Sequence, residues 1–171
     1  MPGLVTLPEV IKPVMALQPR TTNVAITTTN TNFISVKNVQ KAYLLICLQQ
    51  TDVHADVITL YRATAVGKMA AVPVGAVAIT AAMMRYWYNI DCATLETWTE
   101  GTAAATVTVD VGQKPMMYLI EFLVDNLGAT YDAIGFSYSD STHATNYISA
   151  TWLLTQKYAG PVSQSPLVEA D

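Results

Sequence analysis

The stretch SDSTHATN, residues 139–146, contains the three residue types of a serine-hydrolase triad. A triad needs the serine, histidine and aspartate in one fixed geometry together with an oxyanion hole. Here they lie between two strand-like patterns, and the chain has no GxSxG nucleophile elbow. Short polar side chains are also the usual residues of turns, where they hydrogen-bond the backbone. We therefore interpret the stretch, including Ser141 and His143, as a hairpin loop rather than an active site.

The stretch TDVHAD, residues 51–56, is a second candidate for chemistry. Asp52, His54 and Asp56 alternate, so an extended backbone would point all three the same way, and imidazole and carboxylate both bind divalent cations. The alternative is a solvated hairpin loop, because one histidine and two carboxylates lack a specific metal-site spacing. We favour the loop and predict no metal and no other cofactor.

The remaining carboxylates and the one Gly-Lys pair give no coherent active site. Glu96 and Glu100 flank Trp98, and Glu121 and Asp125 share a strand face. Paired carboxylates can hydrolyse sugars, but nothing in the sequence sets their separation. AVGKMAA lacks the spacing of a phosphate-binding loop. The sequence therefore predicts a protein that is not an enzyme.

The composition favours one folded domain that assembles with other subunits. The 171 residues are 51% hydrophobic and only 13% charged, with a mean hydropathy of +0.30. Such a chain has a core, and part of its surface is expected to meet other subunits, so we predict a homo-oligomer. The net charge of -4 and nine scattered Lys and Arg residues argue against direct nucleic-acid binding.

The two cysteines are compatible with a reducing compartment, and the one long uncharged stretch does not predict a membrane span. Cys47 lies in an apolar run and is predicted to be a buried free thiol, while a disulfide with Cys92 stays open. The uncharged stretch at 69–84 contains Pro73 and Gly75 and is rich in small residues, so we interpret it as a loop leading into a buried strand. A membrane span would need about 20 strongly apolar residues, and we predict no membrane contact.

Prolines at positions 2, 8, 13 and 19 divide residues 1–32 from the rest. They block a long helix and a central strand, so we predict an arm that either lies extended on a neighbouring subunit, with Pro8 and Pro13 as interface candidates, or is mobile. Residues 33–158 are assigned to the folded domain. Residues 159–171 contain two prolines and are assigned to an irregular tail.

From residue 33 onward the hydrophobic pattern has a period of two. KAYLLICLQQ is apolar on both faces and is expected to be buried on both sides or nearly so. With VITLYRA it predicts a hairpin. DAIGFSYSD puts large residues on one face and only small ones on the other. With MRYWYNI, ATVTVDV, MMYLIEFLVD and YISATWLLT, these strands predict an all-β, antiparallel β-sandwich or jelly-roll-like domain.

The three tryptophans have two interpretations. Trp152 aligns with Ile148 and Leu154 and is expected in the core or an interface. Trp87 and Trp98 are interface candidates, and they could instead stack on carbohydrate.

The C-terminal half resembles a family of small structural proteins encoded in the head-gene region of tailed bacteriophages. That family has a strand of the type YVIEID, a strand ending in a Ser-rich turn, a strand of the type YILSG, and a closing RYAG with a Pro-containing tail. The counterparts here are YLIEFLVD, DAIGFSYSD, YISATWLLT and KYAGPVSQSP, the last of which makes Tyr158 an interface candidate. Upstream, KNVQKAYLLICLQQ and VITLYRAT resemble the first hairpin, so that the likeness covers residues 36–171.

The resemblance implies a virion component, made in the bacterial cytoplasm and located in the phage head. Its expected role is to decorate and stabilise the capsid, with the major capsid protein or other virion proteins as partners. It implies no catalytic residues. The alternatives are a tail or neck protein, and a carbohydrate-binding module on the virion surface.

Overall fold

Eleven β-strands make up most of the regular structure in the computed structural model, which describes residues 11–22, 26, 31–51, 53–66, 75–110, 112–139 and 143–157. They are β1 Lys12–Thr21, β2 Ile34–Ser35, β3 Val39–Gln49, β4 Val57–Ala63, β5 Val77–Ala78, β6 Met84–Asn89, β7 Thr99–Gly101, β8 Thr106–Thr108, β9 Pro115–Phe122, β10 Ala133–Tyr138 and β11 Tyr147–Gln156. Two 3-10 turns, Ala81–Met83 and Val124–Asn126, are the only helical elements among the described residues.

The strands form two antiparallel sheets. The six-stranded sheet has the order β1-β11-β3-β9-β6-β7, and the five-stranded sheet has the order β2-β10-β4-β5, with β8 also paired to β4. The inner faces of both sheets contribute to one buried core. The predicted all-β antiparallel sandwich is therefore confirmed at the level of two packed sheets.

Trp152 lies at the centre of the contact between the sheets. Its side chain, on β11, is completely buried, as the sequence predicted. Its ring meets Phe122 of the same sheet edge-on, with centroids 5.4 Å apart, and Phe136 of the opposite sheet at 6.5 Å. Such edge-to-face pairs stabilise a core beyond the area that they bury.

The face of β10 that carries only small residues packs against an aromatic ring. The ring of Phe33 lies directly over Gly135, where any Cβ would overlap it, and Ala63 and Ala133 complete the cluster. Small residues on this outward face of the five-stranded sheet leave room for an aromatic side chain that precedes β2. A fully buried Phe33 therefore covers part of the sheet that the sandwich partner does not.

The predicted arm at residues 1–32 is wrong in one part. Lys12–Thr21 forms β1, which pairs with β11 at the edge of the six-stranded sheet. Pro13 and Pro19 are compatible with this position because an edge strand needs hydrogen bonds on one side only. Residues 1–10 and the predicted tail at 159–171 lie outside the described residues.

Both predicted hairpins are also wrong. β3 belongs to the six-stranded sheet and β4 to the five-stranded sheet, and β10 and β11 are divided in the same way. The segments 50–56 and 139–146 therefore pass from one sheet to the other. Period-two patterning identifies strands, but it does not say to which sheet each strand belongs.

Candidate functional site

The two polar stretches that suggested chemistry come together at one end of the sandwich. The backbone N–H of Thr51 donates to Asn146 Oδ1 at 2.8 Å, and the hydroxyls of Thr51 and Thr145 are 2.6 Å apart. The rings of His54 and His143 meet edge-on with centroids 6.1 Å apart. The two connections between the sheets thus form one structural unit.

Asp56 is the centre of this unit and is completely buried. Its carboxylate accepts hydrogen bonds from Tyr138 Oη at 2.8 Å, Ser139 Oγ at 3.1 Å and Gln50 Nε2 at 3.3 Å. A buried carboxylate is tolerated when its oxygens are satisfied in this way. We call Gln50, His54, Asp56, Tyr138 and Ser139 the Asp56 cluster.

Tyr138 is held as a proton donor within the Asp56 cluster. Burial raises the pKa of its phenol far above the ordinary value, and the neighbouring Asp56 carboxylate raises it further. The phenol therefore keeps its proton and donates a hydrogen bond to Asp56. This charge-assisted hydrogen bond joins the end of β10 to the residue that precedes β4.

The Asp56 cluster contains serine, aspartate and histidine in an order that does not match a hydrolase triad. In a triad the histidine lies between the serine that it deprotonates and the aspartate that orients it. Here Asp56 lies in the middle, with its Oδ1 atom 3.1 Å from both Ser139 Oγ and His54 Nδ1. Ser139 Oγ also accepts a hydrogen bond from the backbone N–H of Val57 at 2.8 Å. Ser139 therefore links two segments of the chain, and its hydroxyl bonds a carboxylate and a backbone N–H rather than an imidazole.

Of the three candidate metal ligands, the structure describes only His54 and Asp56. His54 and Asp56 contact each other directly, and Asp52 lies outside the described residues. Among the residues that the structure describes, no group of three or more His, Cys, Asp or Glu side chains could hold a metal ion. The buried position of Asp56 and its three donors fit a structural role for this carboxylate.

The interface candidates lie away from the Asp56 cluster. Trp87 is half-buried on β6, and Trp98, immediately before β7, is 42% exposed. Pro13 is exposed on β1. Pro8 and Tyr158 lie outside the described residues, as does Ser141 of the opening motif.

Trp87 belongs to a row of side chains that crosses five strands on the outward side of the six-stranded sheet. The register places the members directly opposite one another, and none of them is buried. Alternation along each strand points them away from the core, because their chain neighbours Leu44, Ile120 and Trp152 are buried. We call this set the outer row: Met15, Thr151, Leu45, Leu119 and Trp87.

The expectation that β3 is buried on both sides, or nearly so, holds for one face only. Its inward residues, among them Leu44 and Ile46, are completely buried, but Tyr43 and Leu45 are only half-buried and Cys47 is exposed. The prediction of a buried thiol at Cys47 is therefore wrong as well. Both cysteines are free, and partial burial raises the pKa of each thiol.

Charge on this outward side lies at one end of β3, β9 and β6 and at Glu100 on the edge strand β7, which is the cross-strand neighbour of Trp87. Lys41 Nζ lies 3.6 Å from Glu121 Oε1, and Tyr43 Oη donates to the same oxygen at 3.3 Å. Arg85 is the cross-strand neighbour of Glu121. The outer row itself carries no charge, so its centre is a continuous uncharged surface.

Sequence reasoning identified parts of both features but not their arrangement. It selected both polar stretches but treated them separately, and it did not assign a role to Tyr138 or Gln50. The second apolar face of β3 was recognised in the sequence, but it was predicted to be buried or nearly so. Leu45 could have been identified from that face, had it been interpreted as an interface.

Comparison with family models, with curated proteins and with solved structures found no match to this chain. In the part of the chain that the structure describes, no helix is long and apolar enough to cross a membrane.

Proposed function

We propose that this protein is a non-enzymatic structural component of a tailed-bacteriophage virion, which decorates and stabilises the capsid through contacts between subunits. The observation that carries the proposal is the outer row, an uncharged and largely apolar stripe on the outward side of the six-stranded sheet. The resemblance of the C-terminal half to phage head proteins supplies the biological setting.

The outer row has the composition of a subunit interface. The cores of such interfaces are poor in charge and rich in aromatic residues and methionine, and the outer row includes Trp87 and Met15. Met15 is 52% exposed. A row of large uncovered side chains that runs across a sheet face marks a contact surface more strongly than scattered surface residues do.

The Asp56 cluster supports a mechanical role. It joins both connections between the sheets at one end of the sandwich, and the buried Gln50–Asp56 hydrogen bond links the end of β3 in one sheet to the residue that precedes β4 in the other. A rigid subunit loses little conformational entropy when it binds, which favours association. Many copies of such a subunit, each with an interface of ordinary size, would oppose the outward pressure of packed DNA.

A carbohydrate-binding module is the second candidate, and Trp98 is the observation in its favour. Trp98 is 42% exposed, Leu95 is 48% exposed, and Glu100 lies two residues further along. An exposed aromatic ring beside a carboxylate can stack on a sugar and accept its hydroxyl hydrogen bonds. Trp98→Ala would then abolish glycan binding and leave particle attachment unchanged.

The test is co-sedimentation of the purified full chain with phage heads that lack it, followed by counting of the bound copies. Saturable binding at a copy number that matches a lattice symmetry is the expected result. A few copies per particle would replace decoration by a neck or tail position. No binding to heads or tails, with retention on a glycan array that Trp98→Ala abolishes, would overturn the proposal in favour of the carbohydrate module.

A further inference from the structure

We propose that the outward side of the six-stranded sheet is a self-association surface, on which a second copy of this chain packs face to face over the outer row. The inference rests on the proposed function, because it names the first partner of a subunit that acts through contacts. It goes further by assigning that partner to particular residues.

The pattern of β3 is the first support. A strand that is apolar on both faces is typical of a sheet covered on both sides. Within the described residues, the sandwich covers one side of β3 completely and leaves Tyr43 and Leu45 half-exposed on the other. The same holds for Leu119 on β9, the next strand. A layer packed on this side would complete the burial that the sequence pattern indicates.

The size of the surface fits a protein partner. Six strands span five spacings of about 4.8 Å, or roughly 24 Å, and the eight residues of β9 span seven rises of about 3.4 Å, or roughly 24 Å. The flat area is therefore about 570 Å², before the relief of the side chains is added. A stable interface of ordinary size buries about 800 Å² on each partner.

The distribution of charge favours a second copy as that partner. The outer row carries no charge, and Glu121 at one end already contacts Lys41 and Tyr43. Two such faces can meet over the outer row without burying an unpaired charge, which would be costly, because Glu100 lies beyond the end of the row, on the exposed edge strand β7. A two-fold contact needs one surface that complements itself, and an uncharged, flat apolar face meets this requirement.

Pairing of copies edge to edge is disfavoured at β1, where an extra strand would otherwise add. Asn32 occupies part of that edge: its backbone N–H donates to Ala16 O at 3.1 Å, and its Nδ2 donates to Met15 O at 3.1 Å. Pro13 and Pro19 remove two further backbone donors from β1. Face-to-face packing is therefore favoured over strand addition at this edge of the sheet.

The experiment is sedimentation velocity of the full chain over a concentration series, with the variant Thr151→Arg. Thr151 is the polar member of the outer row and is half-buried, so a long charged side chain there can project outward without disturbing the core. Val77→Lys, on the exposed β5 of the other sheet, adds the same charge as a control. We expect a reversible dimer, a dissociation constant at least about tenfold weaker for Thr151→Arg, and no change for Val77→Lys.

The inference would be overturned by a wild-type chain that stays monomeric up to about 100 µM, where contacts of micromolar affinity would be saturated. It would also be overturned by a Thr151→Arg variant that dimerises like the wild type. A third contradicting outcome is a Val77→Lys variant whose dimer is weakened as much as that of Thr151→Arg. Circular dichroism and the unfolding midpoint establish that each variant folds, and Leu119→Lys replaces Thr151→Arg if the latter does not. The wild-type concentration series tests for the dimer without any variant. Particle binding by a monomeric chain would refute the dimer and leave the proposed function standing, whereas a dimer that binds no particle would do the reverse.

Discussion

The hydroxyl of Tyr138 donates a 2.8 Å hydrogen bond to the buried carboxylate of Asp56, 82 residues away in the sequence. This bond joins β10 to the segment that precedes β4. Together with Gln50 and Ser139 it makes one carboxylate the acceptor of three hydrogen bonds from two segments of the chain. Asp56 therefore stabilises the end of the sandwich at which both connections between the sheets cross.

Tyr138→Phe is expected to destabilise the fold by about 1.5–3 kcal/mol, because it removes a hydrogen bond to a charged group and leaves the carboxylate with one donor fewer. The measurement is urea unfolding at neutral pH. Tyr61→Phe is the matched control, since the Tyr61 hydroxyl makes only a 3.5 Å contact with Ser137. Equal losses for the two variants would show that the Asp56 cluster contributes nothing specific.

Gly135→Ala is expected to cost about 1–3 kcal/mol, because its methyl group would overlap the ring of Phe33. Phe33→Ala alone should cost about 3–5 kcal/mol, since the ring is completely buried. In the double variant the methyl group occupies the space that the ring has left. The stability lost by the double variant should therefore be smaller than the sum of the two single losses by at least about 1 kcal/mol in a double-mutant cycle. Strict additivity would mean that the ring does not set the requirement for glycine.

Stability at alkaline pH should depend on Tyr118. Burial raises the pKa of this phenol from the ordinary 10.0 to about 12, and its oxygen accepts a hydrogen bond from the backbone N–H of Asp110. The folded state binds the proton more tightly than the unfolded state, so this contribution is fully present below pH 10 and is lost as the pH rises towards 12. Two pKa units correspond to roughly 3 kcal/mol at most.

The unfolding free energy of the wild type and of Tyr118→Phe, measured between pH 8 and about 12, checks this expectation. The variant should lose less stability than the wild type over that range. Tyr138, whose pKa is also raised, remains in both proteins and cancels in the comparison. Parallel curves would contradict the assignment to Tyr118.

Strand positions could be predicted from the sequence because alternation is a local property. Trp152 aligned with Ile148 and Leu154 in the sequence, and all three are buried on one face of β11. The partner of each strand could not be predicted in the same way. β3 and β4 are close in sequence and lie in different sheets, because the choice between a hairpin and a crossing depends on packing between distant segments.

The Asp56 cluster illustrates the same limit for the site. The residues around 54 and around 139 were each identified as unusual, and their meeting depends on how two inter-sheet connections fold over each other. Pro13 excluded a central strand, as predicted, but it did not exclude an edge strand. The structure places it in the edge strand β1. The apolar second face of β3 was visible in the sequence, and only the structure shows that the described sandwich leaves it half-exposed.

The central claim, that the outward side of the six-stranded sheet is covered when the protein assembles, is tested most directly at Cys47. Cys47 is exposed on this side, one row from Leu45, and Cys92→Ser leaves it as the single thiol of the chain. Its alkylation rate is measured for dilute free protein and for protein bound to phage heads, at one pH. The account predicts a rate at least about tenfold slower in the bound protein, because a tightly packed interface excludes the reagent. Equal rates in the free and bound protein would contradict it.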